Sequence, residues 1–381
     1  MHDFVFHNPT KIIFGRDTES RLGAELRQHG IENVLFVYGR DSIKKSGLHG
    51  RIVASLREAG IAFHEFGGVS SNPVLTHVRQ GIDKAKMQGV DGVLAVGGGS
   101  VLDEGKAIAA GARTDNDIWY YFTGTEVRDA LPVFTVPTLA ATGSEMNGNS
   151  VVTNEETRQK FNISSPLIYP RLSILNPALT FTVPPDYTAY GAVDAIAHVI
   201  EGYFTQEAGA PLLDRLVENI ITTIMNNHES IMKHPDHYES RAEFMWAATL
   251  ALNGLTTAGT RNHSFPNHMI EHSLSALYNI PHGAGLSIVI PAWMKWYSAR
   301  RPDRFWRFAY KVFGLADAEA GIKALERWFN SIKTPTRLRD VSIPERDIEK
   351  IADNCGDLAE LWGLNHIYTR EVLIDILRLA A

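Results

Sequence analysis

The chain has 381 residues, more than one hydrophobic core usually organises, so two domains are expected. Its 44% hydrophobic and 21% charged residues are typical of a globular protein, and a net charge of −6 without runs of like charge does not favour nucleic acid or an anionic membrane as partner. The single cysteine, Cys355, excludes an internal disulfide and is interpreted as structural. With no signal-peptide pattern at the start and no long apolar stretch, a cytoplasmic protein without a membrane span is expected.

The first half of the chain alternates strand-like and helix-like segments. Short β-prone runs occupy residues 34–38, 61–66, 92–96 and 132–137. Helical periods lie at 48–58, 74–87 and from a glycine-rich turn to about 112, while 151–175 has mixed, partly β-rich character. Regular alternation of this kind predicts a parallel, doubly wound sheet.

The pattern changes at Pro184-Pro185, after which Asp186 is a candidate N-cap. Helical periods follow at 188–204, 211–232, 238–258, 267–277 and 285–298, with further helices to the end. The predicted fold class is therefore α/β, with an N-terminal Rossmann-like parallel-sheet domain (1–184) followed by an all-α C-terminal domain (185–381). The active site is expected in the cleft between them.

Four residues with metal-binding side chains follow this boundary. Asp194 and His198 are four apart in a helix and share a face, His268 lies in a second helix, and His282 lies in a Pro-His-Gly sequence that predicts a turn. An Asp–His pair at this spacing is often only a surface pair, but its helix is apolar nearly all round, which favours a buried site. Three nitrogens and one oxygen suit Zn²⁺ or Fe²⁺ better than Ca²⁺ or Mg²⁺.

Two polar loops each follow a predicted strand. Gly97-Gly98-Gly99-Ser100 separates a strand from a helix, where backbone N–H groups and the helix N-terminus can bind a phosphate, although a simple tight turn has the same appearance. Asp103 and Lys106 fall in the first turns of that helix. The second loop, 138–145, carries hydroxyl groups that could hold a ribose, a phosphate or an amide, or could only cap a turn.

Taken in order, these motifs resemble the iron-containing, or group III, alcohol dehydrogenases, and most closely their branch of NADPH-dependent butanol dehydrogenases and broad-range aldehyde reductases. The resemblance covers almost the whole chain and is weakest in the last sixty or so residues. It rests on the segments 8–15 (NPTKIIFG), 95–103 (AVGGGSVLD), 141–145 (ATGSE), 191–198 (GAVDAIAH), 268–274 (HMIEHSL) and 282–283 (HG).

The resemblance implies roles for particular residues. The implied metal ligands are Asp194, His198, His268 and His282. His272 matches a second histidine near the nicotinamide ring, and its position one helical turn after His268 allows it to relay a proton. The implied dinucleotide-binding residues are Gly97, Gly98, Gly99 and Ser100 at the pyrophosphate, Asp103 beside the nicotinamide, and Thr138, Thr142, Ser144, Lys160 and Leu179 along the cofactor.

Two positions depart from the family pattern. After the first predicted strand the chain reads Gly39-Arg40-Asp41, and Arg40 stands where NAD-preferring members carry an acidic residue. A guanidinium there favours the 2′-phosphate of NADP, whereas a shift of one residue would place Asp41 there and favour NAD. The second departure is Asn176 before Pro177, where Asp-Pro is common.

The predicted activity is reversible hydride transfer between NADP(H) and a primary alcohol or aldehyde, as in a butanol dehydrogenase, with one divalent ion, Fe²⁺ or Zn²⁺. The small-molecule substrate is an expected partner, and a homodimer is expected from the resemblance. Candidates for the substrate pocket, from proximity to the motifs, are Phe122, Asn147, Asn149, Trp246 and Phe265.

Other functions remain open at this point. A glycerol dehydrogenase or a dehydroquinate-synthase-like enzyme belongs to the same superfamily, although a phosphate-bearing substrate would require a basic cluster and only Arg261 lies near the metal motifs. A metal-dependent hydrolase would not need the glycine loop. A non-catalytic nucleotide-binding protein would bind the cofactor without turnover.

Overall fold

The computed structural model describes residues 1–207 and 210–381. The strands are β1 (Lys11–Phe14), β2 (Asn33–Tyr38), β3 (Ala62–Phe66), β4 (Gly92–Gly97), β5 (Val133–Pro137), β6 (Asn149–Asn154), β7 (Gln159–Ser164) and β8 (Pro170–Leu175). The helices are α1 (Leu22–Gln28), α2 (Ser42–Lys45), α3 (Leu48–Glu58), α4 (Leu75–Met87), α5 (Gly99–Gly111), α6 (Trp119–Phe122), α7 (Pro185–Thr205), α8 (Pro211–Lys233), α9 (Tyr238–Ala251), α10 (Pro266–Tyr278), α11 (His282–Tyr297), α12 (Pro302–Phe313), α13 (Ala318–Ser331), α14 (Ile348–Leu361) and α15 (Arg370–Leu379).

In the described part of the chain, six strands form a parallel sheet in the order β1-β8-β5-β4-β2-β3. The central strands β2 and β4 are buried along nearly their whole length, as expected for strands covered on both faces. Strands β6 and β7 pair antiparallel as a separate hairpin. The predicted fold class, a parallel-sheet domain followed by helices, is confirmed.

The strand order creates a switch point between β2 and β4. From β2 the chain crosses to β3 on one side, and from β4 it crosses to β5 on the other. The crevice outside the carboxyl ends of two such strands is the usual ligand site of an open parallel sheet. Because Tyr38 pairs with Val96, Gly39 and the glycine-rich turn that begins at Gly97 emerge side by side at this point.

The described chain divides into two compact units. One holds the sheet and comprises His7–Val183 and Lys233–Met245, and the other comprises Met1–Phe6, Pro184–Met232 and Trp246–Ala381. Among the residues that the structure describes, no helix is both long and apolar enough to cross a membrane. Cys355 is fully buried in α14, and burial raises the pKa of its thiol to about 12.

Two helix ends differ from the sequence-based expectation. Helix α7 begins at Pro185 with Pro184 as its N-cap, so the prediction that Asp186 is the N-cap is wrong. The fixed φ of proline suits the first helical position, so the helix begins at Pro185, one residue before Asp186. Helix α9 ends at Ala251 instead of near residue 258, because Gly254 adopts a φ of 89° and a short 3₁₀ turn follows.

His282 is the first residue of α11, and the predicted turn at this position is wrong. Pro281 is the N-cap, and Gly283 lies inside the first helical turn. A Cβ at Gly283 would collide with the backbone carbonyl of Tyr190 in α7. The glycine therefore permits close packing of α11 on α7, which brings His282 toward Asp194.

Candidate metal centre and active site

Helix α7 carries Asp194 and His198 on one face. Its residues 191–205 are all buried, so these two polar side chains need partners inside the protein. The four-residue spacing brings Nε2 of His198 to 3.4 Å from Oδ1 of Asp194.

Helices α10 and α11 supply two further imidazoles. Nε2 of His268 lies 3.7 Å, and Nε2 of His282 lies 3.5 Å, from the same Oδ1 of Asp194. The ligand atoms of these three residues lie within 4.8 Å of one another. The ring of His198 stacks on that of His268 with 4.7 Å between centroids. Asp194, His268 and His282 therefore form one cluster, and His198 lies beside it, against Asp194 and the ring of His268.

Their arrangement fits a divalent metal ion. Ligands about 2.0–2.1 Å from a tetrahedral ion are separated by roughly 3.3 Å, close to the 3.4–3.7 Å between Asp194 Oδ1 and the three imidazole nitrogens. Oδ1 of Asp194 and Nε2 of His268 are buried and have no hydrogen-bond partner among the described residues. An ion between them would relieve the cost of these unsatisfied atoms.

Two buried glutamates hold two of these imidazoles. The Glu201 carboxylate contacts Nδ1 of His268 and accepts backbone N–H groups from the first turn of α10. The Glu271 carboxylate contacts Nδ1 of His282 and accepts the hydroxyl of Ser275. Both glutamate side chains are fully buried. A carboxylate on Nδ1 fixes the tautomer that leaves Nε2 available to a metal.

Sequence reasoning missed these glutamates, although a signal existed. Glu201 follows His198 by three residues in a largely apolar helix, and Glu271 follows His268 by three, directly after the apolar pair Met269-Ile270. Gly285 makes room for the second one, since a Cβ there would lie 2.7 Å from Cγ of Glu271. A buried carboxylate in an apolar helix needs a cationic or hydrogen-bonding partner, which the neighbouring histidines provide.

The pKa values in this cluster show how strongly its charges interact. Burial would raise the pKa of Asp194, but the histidines around it outweigh burial and hold the pKa well below its usual range. Burial lowers the pKa of His198 to about 4, so its imidazole is neutral at pH 7. Burial would also lower the pKa of His268, but Glu201 and Asp194 raise it to about 10. The carboxylates therefore stabilise positive charge at this point, and a divalent ion can supply that charge in place of a proton.

His272 borders this cluster. Its ring centroid lies 5.8 Å from that of His282 and 6.5 Å from that of His268, and the residue is only 4% exposed. The half-buried ring of Trp362, directly after α14, meets His272 edge-on at 6.0 Å. Trp362 belongs to the last part of the chain, where the sequence offered no motif.

The other predicted site residues lie at the carboxyl edge of the sheet. Gly98 is the N-cap of α5, whose N-terminus can bind a phosphate. Thr138 follows β5 and donates its N–H to the carbonyl of Gly97 at 2.9 Å. Leu179 lies in the 3₁₀ turn Pro177–Thr180 just after β8. Residues distant in sequence thus share one edge, as a nucleotide site in an open sheet requires.

The loop after β5 packs against the glycine-rich turn. A Cβ at Gly99 would collide with the side chain of Thr142, so the glycine allows this contact. Ser144 is buried and donates its hydroxyl to Asp103 at 2.6 Å. The second carboxylate oxygen of Asp103 accepts the N–H of Val151 at 3.1 Å. Asp103 and Ser144 are therefore engaged in holding the loop.

Three further candidates lie around the same edge. Arg40 and Asp41 follow β2 at the switch point, and both are exposed. Lys160, on β7, is 5% exposed and donates to the side chain of Asn72 at 3.1 Å. Asn72 lies between β3 and α4, so the hairpin strand is tied to a turn beside the sheet edge.

Comparison with known proteins places these features in a family. Residues 9–177 match the family model described as iron-containing alcohol dehydrogenase, and residues 188–380 match its C-terminal counterpart, Fe-containing alcohol dehydrogenase family, C-terminal. The chain belongs to the iron-containing alcohol dehydrogenase family. It is 42% identical over 390 residues to the probable NADH-dependent butanol dehydrogenase 1 of Bacillus subtilis, with 99% of each chain covered. It is 34% identical over 385 residues to the NADPH-dependent aldehyde reductase YqhD of Escherichia coli, with 98% of each covered.

Solved structures agree with this assignment. The crystal structure of NADH-dependent butanol dehydrogenase A from Thermotoga maritima superposes with a TM-score of 0.97 at 46% identity, covering 100% of this chain and 99% of that one. As a member of the iron-containing alcohol dehydrogenase family, the chain is an oxidoreductase of the alcohol dehydrogenase or aldehyde reductase class that uses NAD(P) and a divalent metal. The expected class of enzyme is confirmed.

One departure from the family pattern has a structural reason. The Nδ2 of Asn176 donates to the buried carboxylate of Glu19 at 2.8 Å, and Glu19 also accepts from Arg51 at 2.9 Å. An aspartate at position 176 would place two carboxylates against each other. Asparagine is therefore the residue that suits this neighbour.

The five residues suggested for a substrate pocket differ in burial and in their contacts. Phe122 is fully buried, and Trp246 is 38% exposed. Asn147 is buried and donates to the backbone carbonyl of Gly143 at 2.8 Å, and Asn149 begins β6. Among them, the ring of Phe265 lies 5.8 Å from that of the candidate metal ligand His268.

Proposed function

We propose that this protein is a metal-dependent aldehyde reductase and alcohol dehydrogenase that acts on short primary aldehydes and alcohols, such as butanal and butanol, with NADP(H). The observation that carries the proposal is the convergence of Asp194 and three imidazoles, two of them held by buried glutamates. The names of relatives support the substrate class, since they include butanol dehydrogenases and an aldehyde reductase.

In this proposal Asp194, His198, His268 and His282 hold one Fe²⁺ or Zn²⁺ ion. A divalent ion supplies Lewis acidity, which stabilises the negative charge that develops on the substrate oxygen as hydride moves. Glu201 and Glu271 keep two imidazoles oriented, so that little reorganisation accompanies substrate binding. No protein nucleophile is required.

His272 is the proposed catalytic residue. Its ring centroid lies 5.8 Å from that of His282 and 6.5 Å from that of His268, two of the proposed ligands. Its imidazole can deliver a proton to the oxygen of a reduced aldehyde, or accept one from an alcohol, directly or through a water molecule.

The proposed dinucleotide site is the carboxyl edge of the sheet, with the pyrophosphate at Gly97-Gly98-Gly99-Ser100 and the N-terminus of α5. Thr138, Thr142 and Leu179 line the same edge. Arg40, exposed beside the switch point, is the proposed partner of the 2′-phosphate of NADP. The names of relatives include both NADH-dependent and NADPH-dependent enzymes, so they do not decide the cofactor. In this proposal the preference is decided by which side chain faces the adenosine ribose: Arg40 favours NADP, and Asp41 would favour NAD.

A cytoplasmic location and a homodimer are also part of the proposal. The single cysteine supports a reducing compartment, and the family resemblance supports the dimer. Sedimentation of the purified protein at several concentrations would measure its oligomeric state.

Initial rates with NADPH and with NADH, on aldehydes of two to eight carbons, test the proposal directly. We expect butanal reduction by the metal-containing enzyme, its loss after chelation, and recovery on adding Zn²⁺ or Fe²⁺. Arg40→Ala should raise the KM for NADPH about tenfold or more and change that for NADH little. Arg378→Ala, which removes an arginine with a 64% exposed side chain on α15, is the matched control. Full activity of the metal-free protein would refute the proposed mechanism.

A further inference from the structure

Lys106 is a completely buried lysine in the compact unit that holds the sheet. It lies on α5, two turns after the glycine-rich turn, and is 0% exposed. Its Nζ donates to the hydroxyl of Ser144 at 2.8 Å, to the backbone carbonyls of Asn147 at 2.8 Å and Asn149 at 2.9 Å, and to Oδ1 of Asn147 at 3.2 Å. One ammonium group thus binds four oxygen atoms of residues 144–149, the segment that leads from the loop after β5 into the start of β6.

Burying this ammonium group is costly. Burial lowers the pKa of Lys106 to about 8, while Asp103 on its own helix and Glu145 on the facing loop oppose the shift. A methionine would fill similar space without that cost. The lysine is therefore explained by the oxygen atoms it collects, which are a hydroxyl, a side-chain amide and two carbonyls of an irregular segment that needs donors.

The bonds of Lys106 extend to Thr142. Oδ1 of Asn147 accepts from Lys106, while Nδ2 of the same amide donates to the carbonyls of Gly143 at 2.8 Å and Thr142 at 3.4 Å. The side chain of Thr142 in turn packs against Gly99 at the start of α5. Lys106 therefore closes a ring of contacts that runs from α5 through Asn147 to Thr142 and back to the glycine-rich turn.

We infer that Lys106 is a positioning residue for the dinucleotide, because it fixes the loop of Thr138, Thr142 and Ser144 against the glycine-rich turn. This inference rests on the proposed function, in which that turn and that loop bind NADP(H). Lys106 makes no contact with the cofactor in this role. It sets the distance between two loops that do, and pre-organised loops bind a ligand more tightly than loops that must be ordered on binding.

Equilibrium titration of NADPH and NADH, followed by nicotinamide fluorescence, tests the inference. In Lys106→Met we expect the Kd of the preferred cofactor to rise at least tenfold, with unchanged metal content and an unchanged KM for butanal. A general loss of folding would change all three quantities. Lys323→Met, which removes a lysine with a 56% exposed side chain on α13, is the matched control and should bind as the wild type does.

Asn147→Ala provides a second test should the buried methionine prevent folding. It leaves Ser144 and both backbone carbonyls bound to Lys106 but cuts the link to Thr142. The Kd of Asn147→Ala for the preferred cofactor should also rise. The pH dependence adds a further readout, since cofactor affinity of the wild type should fall as pH rises through about 8, where Lys106 loses its charge. Lys106→Met should lack that decrease.

The outcomes separate the two proposals. Wild-type protein that binds neither nucleotide would overturn the proposed function and the inference with it. Wild-type protein that binds a nucleotide, with both variants within twofold of its Kd, would overturn the role of Lys106 alone.

Discussion

Replacing Glu271 by glutamine should weaken metal binding without disturbing the packing of the metal centre. The glutamine has the same shape, and its oxygen can still accept from Nδ1 of His282 while Ser275 reverses its role, because a hydroxyl can accept as well as donate. Ser275 already has a second acceptor in the carbonyl of Ile280, at 3.2 Å. The main change is then the loss of the negative charge beside His282. Loss of a carboxylate partner of a ligand histidine typically lowers metal affinity about 10–100-fold, or roughly 1.4–2.7 kcal/mol.

Glu201→Gln should be more damaging than Glu271→Gln. Glu201 uses one oxygen for Nδ1 of His268 and the other for backbone N–H groups of α10. A glutamine at this position has one –NH₂ group, which must point either at these backbone N–H groups or at Nδ1–H of a metal-bound His268. Both of these are donors, so neither can accept a hydrogen bond from the –NH₂ group. The expected loss is therefore that of Glu271→Gln plus the cost of an unsatisfied buried donor, about 1–3 kcal/mol.

Competition with a chromogenic chelator for Zn²⁺ or Co²⁺ measures both affinities, and thermal unfolding of the metal-free proteins controls for folding. Glu319→Gln, on the exposed face of α13 with a 72% exposed side chain, is the matched control. Wild-type affinity in Glu271→Gln would refute the argument that its charge supports His282. A milder effect of Glu201→Gln than of Glu271→Gln would refute the reasoning about the backbone donors.

Three other substitutions have defined consequences. Gly283→Ala should separate α11 from the carbonyl of Tyr190, at a cost of about 1–3 kcal/mol, and should reduce metal retention; unchanged thermal stability and metal content would contradict this. Asn176→Asp should set a new carboxylate against Glu19 and destabilise the fold at pH 7 by about 1–3 kcal/mol. The pKa of the new carboxyl is raised in the folded state, so the deficit should shrink from pH 7 to pH 5, and urea unfolding with the same deficit at both values would be inconsistent with it. The half-buried ring of Trp362 meets the proposed catalytic His272 at 6.0 Å, so it can limit the length of a substrate bound there. Trp362→Ala should therefore raise the kcat/KM of hexanal relative to butanal several-fold, whereas Trp362→Phe should not, and identical chain-length profiles would contradict this role.

Periodicity and turn residues predicted most of the sheet unit. The segments 48–58 and 92–96 became α3 and β4 almost without change. An amphipathic helix imposes a helical repeat and a strand buried on both faces imposes an uninterrupted apolar run, and the sequence shows both patterns directly. The boundary near His282 was wrong for a different reason. A proline and a glycine two residues apart predict a turn from local sequence alone, but Gly283 is required by the carbonyl of Tyr190, more than ninety residues earlier.

The same distinction separates the parts of the candidate site. The spacing of Asp194 and His198 is local, so one helix suffices to predict that they share a face. The partnership of Glu201 with His268 joins α7 to the start of α10 and cannot be derived from either helix alone. A general rule nevertheless applies. A carboxylate inside an apolar helix is too costly to remain unpaired, so each such residue near a candidate ligand should be treated as a predicted partner of that ligand. Applied to this sequence, the rule would have identified both glutamates, but only the packing of α7, α10 and α11 determines which histidine each one contacts.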